Sequence, residues 1–155
     1  MPRTRDLLAP FAGWFGNTRI VTRLHPILYR ALGGRGPLAH NLGMLNVILT
    51  TTGKSSGQPR DVPLYAFREG ERLVVVGSKG GSDREPAWAG NLRANPRASV
   101  RVRRDQLEVV AHEAEGEERD RLWALVTAEF PTYVRYQQKT TRRIPLFVLT
   151  PIEEG

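Results

Sequence analysis

Tyr133 and Tyr136 stand three residues apart, so on a helix they share a face. Two phenols side by side can donate hydrogen bonds to a flat acceptor and polarise it. Tyr65 and Phe130 could complete a pocket wall around them. The plainer alternative is an aromatic cluster packed on the domain, the commoner use of such rings. A second group is Ser78-Lys79-Gly80-Gly81, followed by Pro86, Trp88 and Asn91. Two glycines let the backbone turn tightly and approach a ligand with no Cβ in the way. A lysine, free N–H groups and a helix start then converge on one place, which suits an electron-rich or anionic group. For the glycines alone an ordinary strand-to-helix connection is the better account. With Ser78, Lys79, Trp88 and Asn91 added, a ligand site is.

A third group is Thr50-Thr51-Thr52-Gly53-Lys54-Ser55-Ser56-Gly57-Gln58-Pro59-Arg60. Its hydroxyls, peptide N–H groups and cations are what phosphate binds. The order of glycine, lysine and hydroxyl is not that of a P-loop. A solvated hairpin tip accounts for the same residues, and the stretch alone leaves both readings open.

The elements that must position these groups follow from alternation and punctuation. Residues 44–52 are rich in β-branched side chains and read as a strand, and 61–68 alternate as its hairpin partner. Residues 72–78 form a third strand after the turn Glu69-Gly70-Glu71. A short helix runs between Pro86 and Pro96. Residues 98–103 and 106–115 read as a hairpin around Arg104-Asp105, with Val100 and Val102 against Leu107, Val109 and Ala111. Residues 116–130 form a helix with Glu117, Glu118 and Asp120 at its start, where the dipole favours acids. Pro131 breaks it, a short helix over 132–139 carries the tyrosine pair, and 144–150 is a last strand. Six mostly antiparallel strands with three helical insertions predict a mainly β protein with helices, a small closed barrel.

Composition bounds the chemistry. The 155 residues predict one domain, with a helical arm over 1–40 and the barrel over 41–155. With no cysteine, disulfides and thiolate catalysis are excluded, and the three histidines are scattered without ligand spacing, so no metal site is expected. No Ser-His-Asp set or placed carboxylate pair is apparent. No apolar run spans a bilayer and no secretion signal is evident, so the expected location is cytoplasmic. The net charge of +7 is local: residues 1–60 carry eight Lys/Arg against one acid, Asp6. Such an excess attracts phosphates, anionic lipids, nucleic acid or an acidic ligand tail. Residues 18–32 form a basic amphipathic helix that either packs on the domain or makes a peripheral membrane contact. Nucleic acid is not an expected partner, because the aromatics do not interleave with the basic run.

These blocks, with Gly77, Asn91-Leu92-Arg93-Ala94-Asn95-Pro96 and Ile144-Pro145, resemble the deazaflavin-dependent nitroreductase family of actinobacteria from about residue 40 onward. The resemblance implies a split β-barrel related to the FMN-binding oxidases, and the deazaflavin coenzyme F420 as cofactor, with FMN the alternative. It assigns the coenzyme's phosphate and glutamyl tail to Lys54, Ser55 and Arg60, with Pro63 in the same cofactor set. It lays the deazaflavin and ribityl chain along Ser78, Lys79, Gly80, Gly81, Trp88 and Asn91. It places Ser78, Tyr133, Tyr136 and Tyr65 on the substrate side. Two departures stand out: Lys54-Ser55 replaces a common Arg-Lys, and Phe130 stands where some members have a tyrosine. The expected activity is hydride transfer from the reduced coenzyme to a small acceptor, a quinone, enone or nitro compound. The competing expectations are a non-catalytic deazaflavin carrier, a membrane-surface protein or an FMN oxidoreductase. Either a monomer or a homodimer is compatible with the sequence.

Overall fold

Strand β1 (Met44–Thr52) sets the pattern of the barrel, as seen in a computed structural model that describes residues 44–153. Leu45, Val47, Leu49 and Thr51 are buried, while Met44, Asn46, Ile48 and Thr50 take the opposite face. β2 (Pro59–Glu69) runs back along it in unbroken register, from Met44↔Phe67 to Thr52↔Pro59. β3 (Arg72–Val76) follows a tight turn, and then come helix α1 (Ala87–Ala94) and the hairpin β4 (Arg97–Val102) and β5 (Asp105–Glu113). Helices α2 (Gly116–Glu129) and α3 (Thr132–Gln138) precede β6 (Leu146–Pro151). The strand order is β1-β2-β3-β6-β5-β4, antiparallel throughout and closed by β1 on β4. The helical excursion between β5 and β6 lets the last strand slot between β3 and β5.

Alternation along these strands builds two apolar layers. Leu45, Val47, Leu49, Ala66, Val75, Val100, Val109 and Leu149 fill the barrel, and α1 adds Trp88, Ala89 and Leu92. The Trp88 ring meets Phe147 edge-on at 5.6 Å. Facing outward from β2, β3 and β6, Phe67, Val74, Val76, Leu146 and Val148 pack under Leu122 and Val126 of α2 and Tyr133 of α3. The observed fold is therefore the mainly β barrel with helices that the sequence predicts.

Three boundaries differ. The β4–β5 turn is Arg103-Arg104, one residue earlier than expected, so Val102 pairs with Asp105, Val100 with Leu107 and Ala98 with Val109. Arg103 sits at φ 56, a left-handed position that a glycine would have signalled. β3 ends at Val76 and β6 starts at Leu146, because Gly77 and Pro145 leave the ladder to form their own bond (Gly77 N–H to the Pro145 carbonyl, 2.8 Å). The helix expected over 18–32, and the whole arm over 1–40, lie outside the described residues. Among the described residues no helix is long and apolar enough to cross a membrane.

Candidate active site

The basic hairpin between β1 and β2 is fixed by its own backbone. The Gly53 N–H donates to the Gln58 carbonyl and the Gly57 N–H to that of Gly53, both at 2.8 Å. A Cβ on Gly53 would lie 2.5 Å from Ser56 Oγ and 3.2 Å from the Gln58 carbonyl oxygen, so glycine gives the hairpin its tight closure. Ser56 Oγ accepts from Arg60 at 3.4 Å. One buried side chain ties this hairpin to α1. Asn91 accepts from the Lys54 peptide N–H at 2.9 Å and donates to Thr51 Oγ1 at 3.0 Å. Asn91 is 7% exposed, so those bonds form in a low-dielectric setting where leaving them unmade is costly. The amide therefore holds the hairpin against the helix.

The turn after β3 is left-handed over three residues: Lys79 at φ 44, Gly80 at φ 64 and Gly81 at φ 83. Bonds from Gly81 N–H to the Ser78 carbonyl (2.9 Å) and from Ser82 N–H to the Lys79 carbonyl (3.1 Å) close it. The two glycines differ in use. A Cβ on Gly80 would meet nothing within 4 Å, whereas one on Gly81 would lie 2.6 Å from the Tyr136 carbonyl oxygen. Gly80 leaves open space beside the turn. Gly81 lets the turn press against α3.

The third component is aromatic. Ring centroids run Tyr65 to Phe130 at 6.1 Å, Phe130 to Tyr133 at 4.9 Å and Tyr133 to Tyr136 at 6.1 Å. Burial pushes the Tyr133 hydroxyl well above the usual phenol range, with Tyr136 and Tyr65 adding to the effect. The group therefore stays protonated and remains a hydrogen-bond donor through neutral pH.

All three components line one cavity of about 1910 Å³. Lys54, Ser55, Arg60, Pro63, Tyr65, Ser78, Lys79, Gly80, Trp88, Asn91, Tyr133 and Tyr136 border it. Gly81 does not border it and serves packing. Trp88 both borders it and belongs to the barrel core. Sequence reasoning missed Arg101, Arg103 and Arg104, which also line the cavity. Arg101 pairs with Ile48, placing it on the outer face of β4 beside Ile48 and Pro63 of β1 and β2. For Arg101 the available signal was its place in the strand alternation between Val100 and Val102. Also missed was Arg142. Its guanidinium donates to the carbonyls of Gly77, Ser78 and Ser82, the backbone that frames the left-handed turn.

Across residues 21–151 the chain matches the model of a family described as F420H2-dependent quinone reductase. The chain belongs to that family. It is 37% identical over 133 residues to an F420H2-dependent quinone reductase of Mycobacterium tuberculosis, spanning 83% of this chain and 88% of the relative. Among solved structures it resembles an F420H2-dependent reductase at 43% identity and TM-score 0.62, covering 67% of this chain and 92% of that one. Another, described as a domain-swapped dimer, is 39% identical with TM-score 0.64, covering 81% and 96%. A heme storage protein from Vibrio cholerae, 20% identical with TM-score 0.57 over 86% and 93%, shares the fold alone. Family membership makes this protein an oxidoreductase and F420 its cofactor.

The donor set fits that cofactor. Among the described residues, seven basic side chains line the cavity against two acidic ones, Asp61 and Glu85. Both acids are engaged: Asp61 accepts from Thr50 and Glu85 holds Arg93. What remains is net positive, as a phosphate with an acidic tail requires. The volume exceeds the roughly 300–1,000 Å³ of a pocket for one small ligand, which leaves room for coenzyme and acceptor together.

Proposed function

We propose that this protein reduces quinones with reduced F420, with the coenzyme's anionic tail at the basic hairpin and the acceptor at the tyrosine wall. The observation that carries this reading is the division of one cavity. Arg60 and Tyr65 both border it and stand five residue steps apart on β2, about 17 Å of extended chain. The basic hairpin and the tyrosine wall are thus spaced for two parts of a long ligand plus its reaction partner.

When bound, the reduced deazaflavin supplies the hydride. Lys54, Ser55 and Arg60 hold the phosphate and acidic tail by charge-assisted hydrogen bonds. Ser78, Lys79 and Gly80 border the cavity and would offer hydroxyl and peptide groups to the coenzyme. Tyr133, which keeps its proton through neutral pH, would donate a hydrogen bond to the oxygen of a bound quinone. Tyr136 is only half-buried, so it can pass a solvent proton to that oxygen. Tyr65 and Phe130 cover the flat faces of the acceptor and exclude water.

The test is fluorescence titration with oxidised F420 and, separately, FMN, followed by turnover of a short-chain naphthoquinone. Binding of F420 without a response to FMN is expected. FMN binding alone would overturn the reading. Tyr136→Phe should lower turnover about a hundredfold or more while sparing F420 affinity, and undiminished turnover would remove Tyr136 from the proton path.

A further inference from the structure

We propose that Arg142, supported by Gln137, is the positioning residue that holds the coenzyme turn in its left-handed shape and sets its distance from the tyrosine wall. The inference rests on the F420 reading above for its ligand, but its geometry stands alone. Arg142 Nε donates to the Ser82 carbonyl at 2.7 Å, and Nη2 donates to those of Ser78 at 2.9 Å and Gly77 at 3.1 Å. A planar fork of donors reaches three carbonyls at once, which a lysine ammonium cannot reproduce with the same geometry.

Those three carbonyls bracket the strained part of the turn. Lys79 is a non-glycine residue at φ 44, a conformation that persists only where its surroundings over-determine it. Arg142 supplies that determination. By fixing the Ser78 carbonyl, it also directs the Lys79 peptide N–H the opposite way, because the peptide between them is trans and planar.

The bracket is itself anchored to the helix that carries the tyrosines. Gln137 of α3 donates from Nε2 to the Arg142 carbonyl at 2.8 Å and accepts the Ile144 N–H at Oε1 at 3.0 Å. Gln137 is the residue after Tyr136. One segment therefore ties the turn at the coenzyme to the helix at the acceptor, and the span between them becomes a fixed length. Proximity of the reacting groups depends on that length.

The experiment compares Arg142→Lys, Arg142→Gln and, as a control, the exposed neighbour Arg143→Gln. The first readout is amide hydrogen exchange of the coenzyme-free protein. Exchange at least tenfold faster at Gly81 and Ser82 in both Arg142 variants, with the barrel strands unchanged, is expected. The second is F420 titration: both Arg142 variants should bind at least tenfold more weakly, and Arg143→Gln as wild type does. The third is the split of steady-state constants, with kcat falling further than the quinone KM rises, because spacing is disturbed while acceptor binding is kept. Millimolar methylguanidinium added to Arg142→Ala should restore part of the F420 affinity. Folded Arg142 variants with wild-type exchange at the turn overturn the proposal whatever the ligand. Should Arg142→Gln fail to fold, Arg142→Lys decides by the same readouts. Wild-type protein that binds no F420 refutes the functional reading instead, and the exchange result still judges Arg142.

Discussion

The barrel has two outer faces built on the same alternation, and they have opposite fates. On β2, β3 and β6 the outward residues are Phe67, Val74, Val76, Leu146 and Val148, and α2 and α3 seal them. Outward on β1, β2 and β4, Asn46, Ile48, Asp61, Pro63 and Arg101 border the cavity, and Thr50 holds Asp61. Both faces are equally regular in backbone. The side chains alone decide that one is core and the other is surface for a ligand. Truncating a side chain should therefore cost stability on the first face and function on the second.

The largest expected effect is on the sealed face. Leu122 is fully buried under the helical layer, so Leu122→Ala should cost about 2–5 kcal/mol in urea unfolding. The protein that remains folded should bind F420 unchanged. A loss of affinity in that variant would show that the two faces are coupled. On the open face, Lys54→Gln with Arg60→Gln should raise the F420 Kd roughly a hundredfold, about tenfold for each charge-assisted hydrogen bond removed. The melting temperature should hardly move, since both side chains are exposed. The wild-type Kd should weaken with added salt, and the double variant should show much less of that dependence.

Tyr133 stands between the faces, and pH separates its two roles. Its folded value is raised above the usual phenol value, so the fold retains the proton more firmly than the unfolded chain does. That stability is fully present below about pH 10 and is lost as pH rises through the raised value. Tyr133→Phe should therefore flatten the fall in urea midpoint above about pH 10. Parallel curves for the two proteins would remove Tyr133 as the source. The smallest effect is expected at Ile48→Ala, within about 1 kcal/mol in stability, because Ile48 is half-buried on the open face. A larger cost would mean that this face is covered after all.

Legibility in the sequence followed the same division. The strands and the i, i+3 tyrosines were readable because periodicity reports burial directly. The hairpin of β4 and β5 was misplaced by one residue because Arg103 adopts φ 56 without a glycine to announce it. Arg101 passed as an ordinary strand residue, since only closure of β1 on β4 turns its side toward the cavity. Arg142 was invisible for another reason. Its partners lie some sixty residues earlier and are backbone carbonyls, which every sequence contains.

Asn91 also has a kinetic meaning. Because its amide anchors the Lys54 backbone at 2.9 Å, the basic hairpin is formed before any ligand arrives. An incoming polyanion need only quench side-chain rotamers, about 0.5–1.5 kcal/mol for each long side chain, without ordering a loop. Association should then run at a rate governed by charge attraction and ionic strength. Discrimination between coenzymes with long and short acidic tails should appear in how long each remains bound.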